Sequence, residues 1–282
     1  MQQQVFNIQN LTCEYIPDTP VLRISELEIP RGKLIFVIGR SGIGKSTFIE
    51  TLGLMNRTIA LKDDVAIRFM PEAGSEEIRL QTGWSLPNQQ LSNLRMKYFS
   101  FIFQNTNLMP NFTAGENMMM SLLIQGIPAK QAKKAVLRVM ARLSLEPAVF
   151  DKKITALSGG QRQRLAFVRA VTTDFTVLFG DEPTGNLDEN TAHELMAILK
   201  DLIREEGKTC IIVSHDLKLA ERFADIVIPI TIQTNDDGTS VGEIKSSNIL
   251  RNTADTWANT QGDKIEHPLN YFKQFLNDEA AQ

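Results

Sequence analysis

The residues Gly39-Arg40-Ser41-Gly42-Ile43-Gly44-Lys45-Ser46-Thr47 carry the clearest chemistry in the chain. They fit Gly-x-x-x-x-Gly-Lys-Ser/Thr, a pattern in which a backbone loop holds phosphate groups. Glycines let several N–H groups turn inward as an anion cradle. A helix starting at the end of the loop adds the positive pole of its dipole. Lys45 brings a full charge to the terminal phosphates, and the Ser46 hydroxyl is a hard oxygen donor suited to Mg2+. This chemistry needs a buried strand before the loop and a helix after it. The β-branched, apolar run Leu34-Ile35-Phe36-Val37-Ile38 supplies the first, and Thr47 to Leu54 can form the second. Alone, the motif indicates a nucleotide without saying what is done with it.

Further groups qualify by type and position. Thr176-Val177-Leu178-Phe179-Gly180 is an apolar strand running into Asp181-Glu182. Beside a phosphate loop, Asp181 can hold Mg2+ through water and Glu182 can orient or deprotonate a water. Lys208 to Val213 is another strand, ending in Ser214-His215-Asp216, and a histidine at the carboxyl end of a parallel strand faces the ligand crevice. In Leu157-Ser158-Gly159-Gly160-Gln161, Ser158 and Gln161 have capping-box spacing and predict a helix running to about Thr173. Two glycines at its start leave it open to an anion, although an ordinary capped helix has the same local pattern. Tyr15, ahead of the loop, either stacks on a nucleotide base or packs on its own sheet; spacing alone does not decide.

The elements that must position these groups follow from hydrophobic periodicity. Val5 to Gln9 and Val21 to Ile29 alternate as strands, with Leu11 to Tyr15 between them. Residues 56–95 carry the weakest signal: a strand at Val65 to Met70, a turn at Glu72 to Glu76 and a helix at Gln89 to Met96. A strand at Phe99 to Phe103 leads into Gln104. Thr113-Ala114-Gly115-Glu116 is a capping box opening a helix, Pro128 starts another, and Thr191 to Glu194 predicts the cap of a third with His193 on its solvated face.

Composition narrows the class. The chain has 282 residues, 43% hydrophobic and 22% charged, ordinary for a globular protein. A net charge of −3 gives no bulk basic signal for nucleic acid. Two cysteines, Cys13 and Cys210, indicate no disulfide framework and favour a reducing compartment, with Cys210 a core residue. The first residues lack the regions of a signal peptide, and no apolar run approaches the roughly 18 residues a membrane helix needs.

Taken in order, Gly39–Thr47, Gln104, Leu157–Gln161, Phe179–Glu182, Gly185-Asn186-Leu187-Asp188 and Ser214–Asp216 resemble the ATP-binding subunit of an ABC transporter over about residues 3 to 232. The resemblance implies an α/β fold: a P-loop NTPase core of mainly parallel sheet, an antiparallel β subdomain and an inserted α-helical subdomain at about 105–172. Residues 233–282 would be a polar C-terminal extension with a short amphipathic helix at Leu269, Phe272, Phe275 and Leu276. It further implies ATP and Mg2+ as ligands, with Tyr15 stacked on adenine and Lys45 on the phosphates. Ser46, Gln104 and Asp181 would serve the metal, Glu182 would be the base and His215 the γ-phosphate sensor. Ser158, Gly159, Gly160 and Gln161 would meet ATP on the opposite subunit of a head-to-tail homodimer, and Asp188 would communicate across it.

Asp181-Glu182-Pro183-Thr184-Gly185-Asn186-Leu187-Asp188, with Phe101 to Gln104, Leu108-Met109-Pro110 and Glu116-Asn117, is similar to the lipoprotein-releasing, macrolide-exporting and cell-division group. That implies a separate transmembrane permease, no nucleic acid, and a peripheral place on the cytoplasmic face of the membrane. A non-transport role in cell-division or envelope machinery is the alternative. The partner surface would draw on Leu108, Met109, Phe112 and Met118-Met119-Met120, with Met109 and Phe112 the more exposed. Residues 56–95 depart from the family's usual pattern, which puts the antiparallel subdomain in question.

Overall fold

The computed structural model describes residues 3–61, 64–185, 187–235, 238–253 and 256–276. Two sheets carry the fold. β1 (Gln4–Ile16) and β2 (Thr19–Pro30) form a long antiparallel hairpin. The stretch Leu11–Tyr15, read as a connection, is the second half of β1. Asn10 interrupts the sequence pattern because it sits mid-strand at φ 51, a left-handed conformation that asparagine tolerates. β3 (Leu34–Ile38) is buried at all five positions and leads through the glycine-rich loop into α1 (Lys45–Leu52).

β4 (Ala66–Phe69) pairs with β1 and with β5 (Ile78–Arg79), so the antiparallel subdomain forms, with Pro71-Glu72-Ala73-Gly74 as the turn between β4 and β5. The turn at Glu72–Ser75 is closed by the Ser75 hydroxyl, which donates to the Glu72 carbonyl and accepts from its N–H. α2 (Asn88–Tyr98) then feeds β6 (Phe99–Ile102).

The helical segment consists of α3 (Ala114–Ile124), α4 (Ala129–Arg142) and α5 (Gly159–Val171). Thr113 caps α3 with a reciprocal Glu116 bond, and Gly115 admits the Phe150 ring, which a Cβ there would meet at 2.3 Å. On α4 the stripe Ala132, Val136 and Met140 is buried.

β7 (Val177–Asp181), α6 (Glu189–Glu206), β8 (Thr209–Val213), α7 (Leu217–Phe223) and β9 (Ile226–Pro229) complete the core. Asp188, not Thr191, caps α6: its carboxylate accepts from the Thr191 N–H and hydroxyl. His193 is half-buried with its ring 5.5 Å from Phe223, not on a solvated face. Cys210 is fully buried.

The remaining strands are β10 (Thr231–Thr234), β11 (Ser240–Ile244), β12 (Leu250–Thr253), β13 (Thr256–Asn259) and β14 (Lys264–Ile265), followed by α8 (Pro268–Lys273). The main sheet runs β14-β13-β12-β9-β3-β8-β7-β6, parallel from β9 to β6; the second runs β10-β11-β2-β1-β4-β5. Phe6, Phe69, Phe99 and Phe179 join the two sheets, with ring centroids 5.0–6.4 Å apart. Each such ring contributes about 1.5–3 kcal/mol by burial alone.

The division expected after residue 232 falls inside β10, and strands beyond it enter both sheets: β11 pairs with β2, and β12 with β9. The extension is therefore stitched into the fold. Its helix α8 docks on the chain itself, through a fully buried Phe272 set edge-on to Trp257 at 5.2 Å. Among the described residues, no helix is long and apolar enough to cross a membrane.

Candidate active site

β3 delivers the phosphate loop at its carboxyl end, where Gly42 and Gly44 adopt φ 77 and 101. A side chain at either would be strained, and Gly44 also has Val21 and Leu22 atoms 3.4 Å from where a Cβ would lie. Gly44 caps α1, so the first N–H groups of that helix point into the loop. Lys45 folds back, its Nζ donating to the carbonyls of Gly39 at 2.9 Å and Arg40 at 2.6 Å. Burial lowers the Lys45 pKa, and Glu182 and Asp181 partly offset this. The Ser46 hydroxyl donates to Asp181 Oδ2 at 2.8 Å. Ile43 is buried and serves as an anchor, whereas Ser41 and Gly42 are exposed at the rim.

Glu182 leaves β7 at φ 48, with its N–H on the Val213 carbonyl at 3.0 Å. Its Oε2 accepts from the His215 N–H at 3.4 Å, and His215 Nε2 lies 3.2 Å from its Oε1. That approach lacks hydrogen-bond alignment, so Oε1 is buried without a donor. Burial raises the Glu182 pKa, against the lowering effects of the His215 N–H and Lys45. Burial and then Lys45 lower that of His215. A cavity of about 210 Å3 is lined by Ser41, Gly42, Gly44, Lys45, Ser46, Thr47, Gln104, Asp181, Glu182, Val213 and His215. The phosphate loop, both carboxylates, Gln104 and His215 therefore converge within one chain.

Tyr15 stands at the edge of this group. It is 58% exposed, while its hydroxyl lies 3.2 Å from Thr47 Oγ1 and accepts from Asn56 Nδ2 at 3.4 Å. The ring is thus held by its polar end with its body in solvent, which leaves a face for a base.

The pentapeptide at 157–161 is elsewhere. Ser158 Oγ accepts from the Gln161 N–H while Gln161 Oε1 accepts from the Ser158 N–H, and Ser158 and Gly159 are exposed. None of Ser158, Gly159, Gly160, Gln161 and Asp188 lines the cavity. Asn186 lies outside the described residues.

Three contacts were not legible in the sequence. Asn56 bridges Tyr15 and Glu50, donating to Glu50 Oε2 at 2.9 Å. Gly242 in β11 lies against the phosphate loop, since a Cβ there would be 2.1 Å from the Ile43 carbonyl oxygen. Gln163 in α5 grips the backbone after Glu182. Each depends on a partner distant in sequence.

A second, larger cavity of about 600 Å3 is lined by Met55, Met96, Phe101, Phe103, Met120 and Ile124, with Arg169 among its polar neighbours. Met109 and Phe112 are 43% and 40% exposed, but the apolar groove forms without them. Met118 is fully buried in the core.

The family model described as ABC transporter matches residues 22–185. The chain belongs to the ABC transporter family. It is 38% identical over 202 residues to the lipoprotein-releasing system ATP-binding protein LolD of Alcanivorax borkumensis, covering 72% of this chain and 82% of that one. It is 33% identical over 255 residues to the macrolide export ATP-binding/permease protein MacB of Vibrio parahaemolyticus, covering 89% of this chain but only 36% of that one. Among solved structures, the dimeric bacterial ABC transporter cassette MJ0796 superposes with a TM-score of 0.68 at 29% identity, covering 79% of this chain and 93% of that one. A post-hydrolysis dimer of MJ0796 bound to ADP and Pi gives the same TM-score at 28% identity.

Proposed function

We propose that this chain binds ATP with Mg2+, hydrolyses it to ADP and phosphate, and drives a separate transmembrane permease. The observation that carries this is the single cavity in which the phosphate loop meets Glu182, whose buried Oε1 has no donor. An attacking water would satisfy that oxygen, and an ionised Glu182 would take its proton. Lys45 would exchange its loop carbonyls for phosphate oxygens, and His215, beside Glu182, would contact the γ-phosphate. The metal fits the donor set: the Ser46 hydroxyl and Asp181 carboxylate already meet, and Gln104 lines the same cavity. A bound Mg2+ would supply charge neutralisation at the phosphates. The test is Lys45→Ala, which should abolish ATP binding and turnover while leaving the thermal midpoint unchanged. Wild-type ATPase activity in that variant would end the hydrolytic reading.

Ser158 and Gly160 at the exposed start of α5, and Asp188, are assigned to the γ-phosphate and interface of a second copy, head to tail, as the dimeric relative supports. The permease is assigned to the groove at Met55, Met96, Met120 and Ile124, where methionines can keep contact as a partner tilts. The names of the relatives support lipoprotein release or macrolide export as the class of driven process, and we place the chain at the periphery of the membrane on its cytoplasmic face. Ile124 is 64% exposed, so Ile124→Glu should leave stability within about 0.5 kcal/mol while abolishing capture of the permease in pull-down. Unchanged capture would place the interface elsewhere.

A further inference from the structure

Glu182 is one of six non-glycine residues at positive φ among those described, and the one that lines the nucleotide cavity. A glutamate gains nothing locally from a left-handed backbone, so the surroundings must impose it. Two backbone bonds help: the Glu182 N–H to the Val213 carbonyl at 3.0 Å, and the Gly185 N–H to the Glu182 carbonyl at 3.2 Å. Neither fixes Pro183. The missing restraint comes from α5. Gln163 is 2% exposed, and its Nε2 donates to the Glu182 carbonyl at 3.2 Å and the Pro183 carbonyl at 2.7 Å. An amide nitrogen carries two hydrogens, so one group can hold two successive carbonyls of the loop.

We infer that Gln163 is a positioning residue for Glu182, fixing from α5 the backbone turn that aims the carboxylate; the inference rests on the role of Glu182 proposed above. Gln163 lies five residues beyond Ser158 on the same helix, about 7 Å along its axis. A shift of the helix end that meets the second subunit's nucleotide therefore reaches the base of the chain's own site through one rigid element. Contact in one composite site tunes attack geometry in the other.

The test uses the full chain, with Mg-ATP turnover read as kcat and KM separately and as a function of pH. Gln163→Met keeps length and burial but has no donor; kcat should fall about tenfold or more, the scale expected of sub-ångström misplacement, with KM within about twofold. In a Glu182→Gln background it should still give the ATP-dependent dimer on gel filtration, which places the loss after association. Gln163→Glu presents an oxygen to two carbonyls when ionised but an O–H when protonated. Its activity relative to wild type should therefore recover as pH falls. A residue that merely fills space would lower the melting midpoint and leave the kcat of folded protein within twofold. Should Gln163→Met fail to fold, the pH dependence of the Gln163→Glu to wild-type ratio still decides, and a flat ratio overturns the inference. Glu182→Gln alone retaining turnover would instead remove the base assignment and the inference with it.

Discussion

Two helix starts in this protein have similar local chemistry and opposite surroundings. α1 begins at Gly44, buried, with its N–H groups facing a cavity that also holds Lys45, Asp181 and Glu182. α5 begins at Ser158, exposed, with open space around Gly159. Both starts are glycine-rich and both can receive an anion, but only the first has a wall opposite it. Under the proposed function, the first is a finished half-site and the second an unfinished one, and a second copy would complete both at once. In the head-to-tail dimer proposed above, the α5 start of each copy would lie over the α1 start of the other.

The sharpest way to break that picture is to stop chemistry without touching either helix start. Glu182→Gln keeps shape and loses the base, so turnover should drop by on the order of 10² or more. ATP should still bind, and with no hydrolysis to reopen them the two half-sites should stay closed. Gel filtration with Mg-ATP should show a dimer; only monomer, with ATP bound normally, would mean the α5 start completes nothing.

Mixing two defective chains sharpens the same comparison with a smaller effect. Lys45→Ala destroys the finished half-site, and Gly159→Asp sets a negative charge at the α5 start. Each alone should be inactive. A heterodimer of the two has one site with both lesions and one with neither. Random pairing should therefore restore about a quarter of wild-type turnover. No recovery on mixing, with heterodimers demonstrated by tag pull-down, would show that each site lies within a single chain.

The two regions also differ in how much of them the sequence discloses. Both helix starts are local motifs, legible because the cap, glycines and lysine lie within a few residues of one another. The cavity walls are partly legible, since Asp181, Glu182 and His215 follow apolar strands whose parallel pairing brings their ends together. What stays hidden is whatever depends on distant pairing. β12 to β14 are short and polar, and they are strands because β9 offers an open edge. Gly242 looks like any turn glycine until it lies under the Ile43 carbonyl. Asn56 and Gln163 are ordinary polar residues whose acceptors include the Tyr15 hydroxyl, 41 residues from Asn56, and the Glu182 carbonyl, 19 residues from Gln163. Asp188 was legible as a family position but not as the cap of α6, because Thr191 offered an equally good capping pattern three residues later.

The smallest expected effect is in pH dependence, and it separates the regions by charge. Burial raises the Glu182 pKa, with Asp181 and Asp216 adding to it and the His215 N–H and Lys45 opposing it. Asp188, at the start of α6 and assigned above to the subunit interface, moves the other way, lowered by its bonds to Thr191. A general base acts when ionised, so activity should be lost as pH falls through the raised Glu182 value. The acidic limb of kcat/KM should therefore lie above the ~4.3 of a free glutamate. ATP brings negative phosphates beside Glu182 and favours its protonated form further, so the limb in kcat should lie higher than that in kcat/KM. Asp188 is ionised throughout this window, and Asp188→Asn should leave the limb where it is. The measurement is kcat and kcat/KM against pH for the wild type and Asp188→Asn. A limb at or below the free-glutamate value would mean that burial does not govern Glu182. A limb that moves in Asp188→Asn would place the titrating group on the open half-site instead of the finished one.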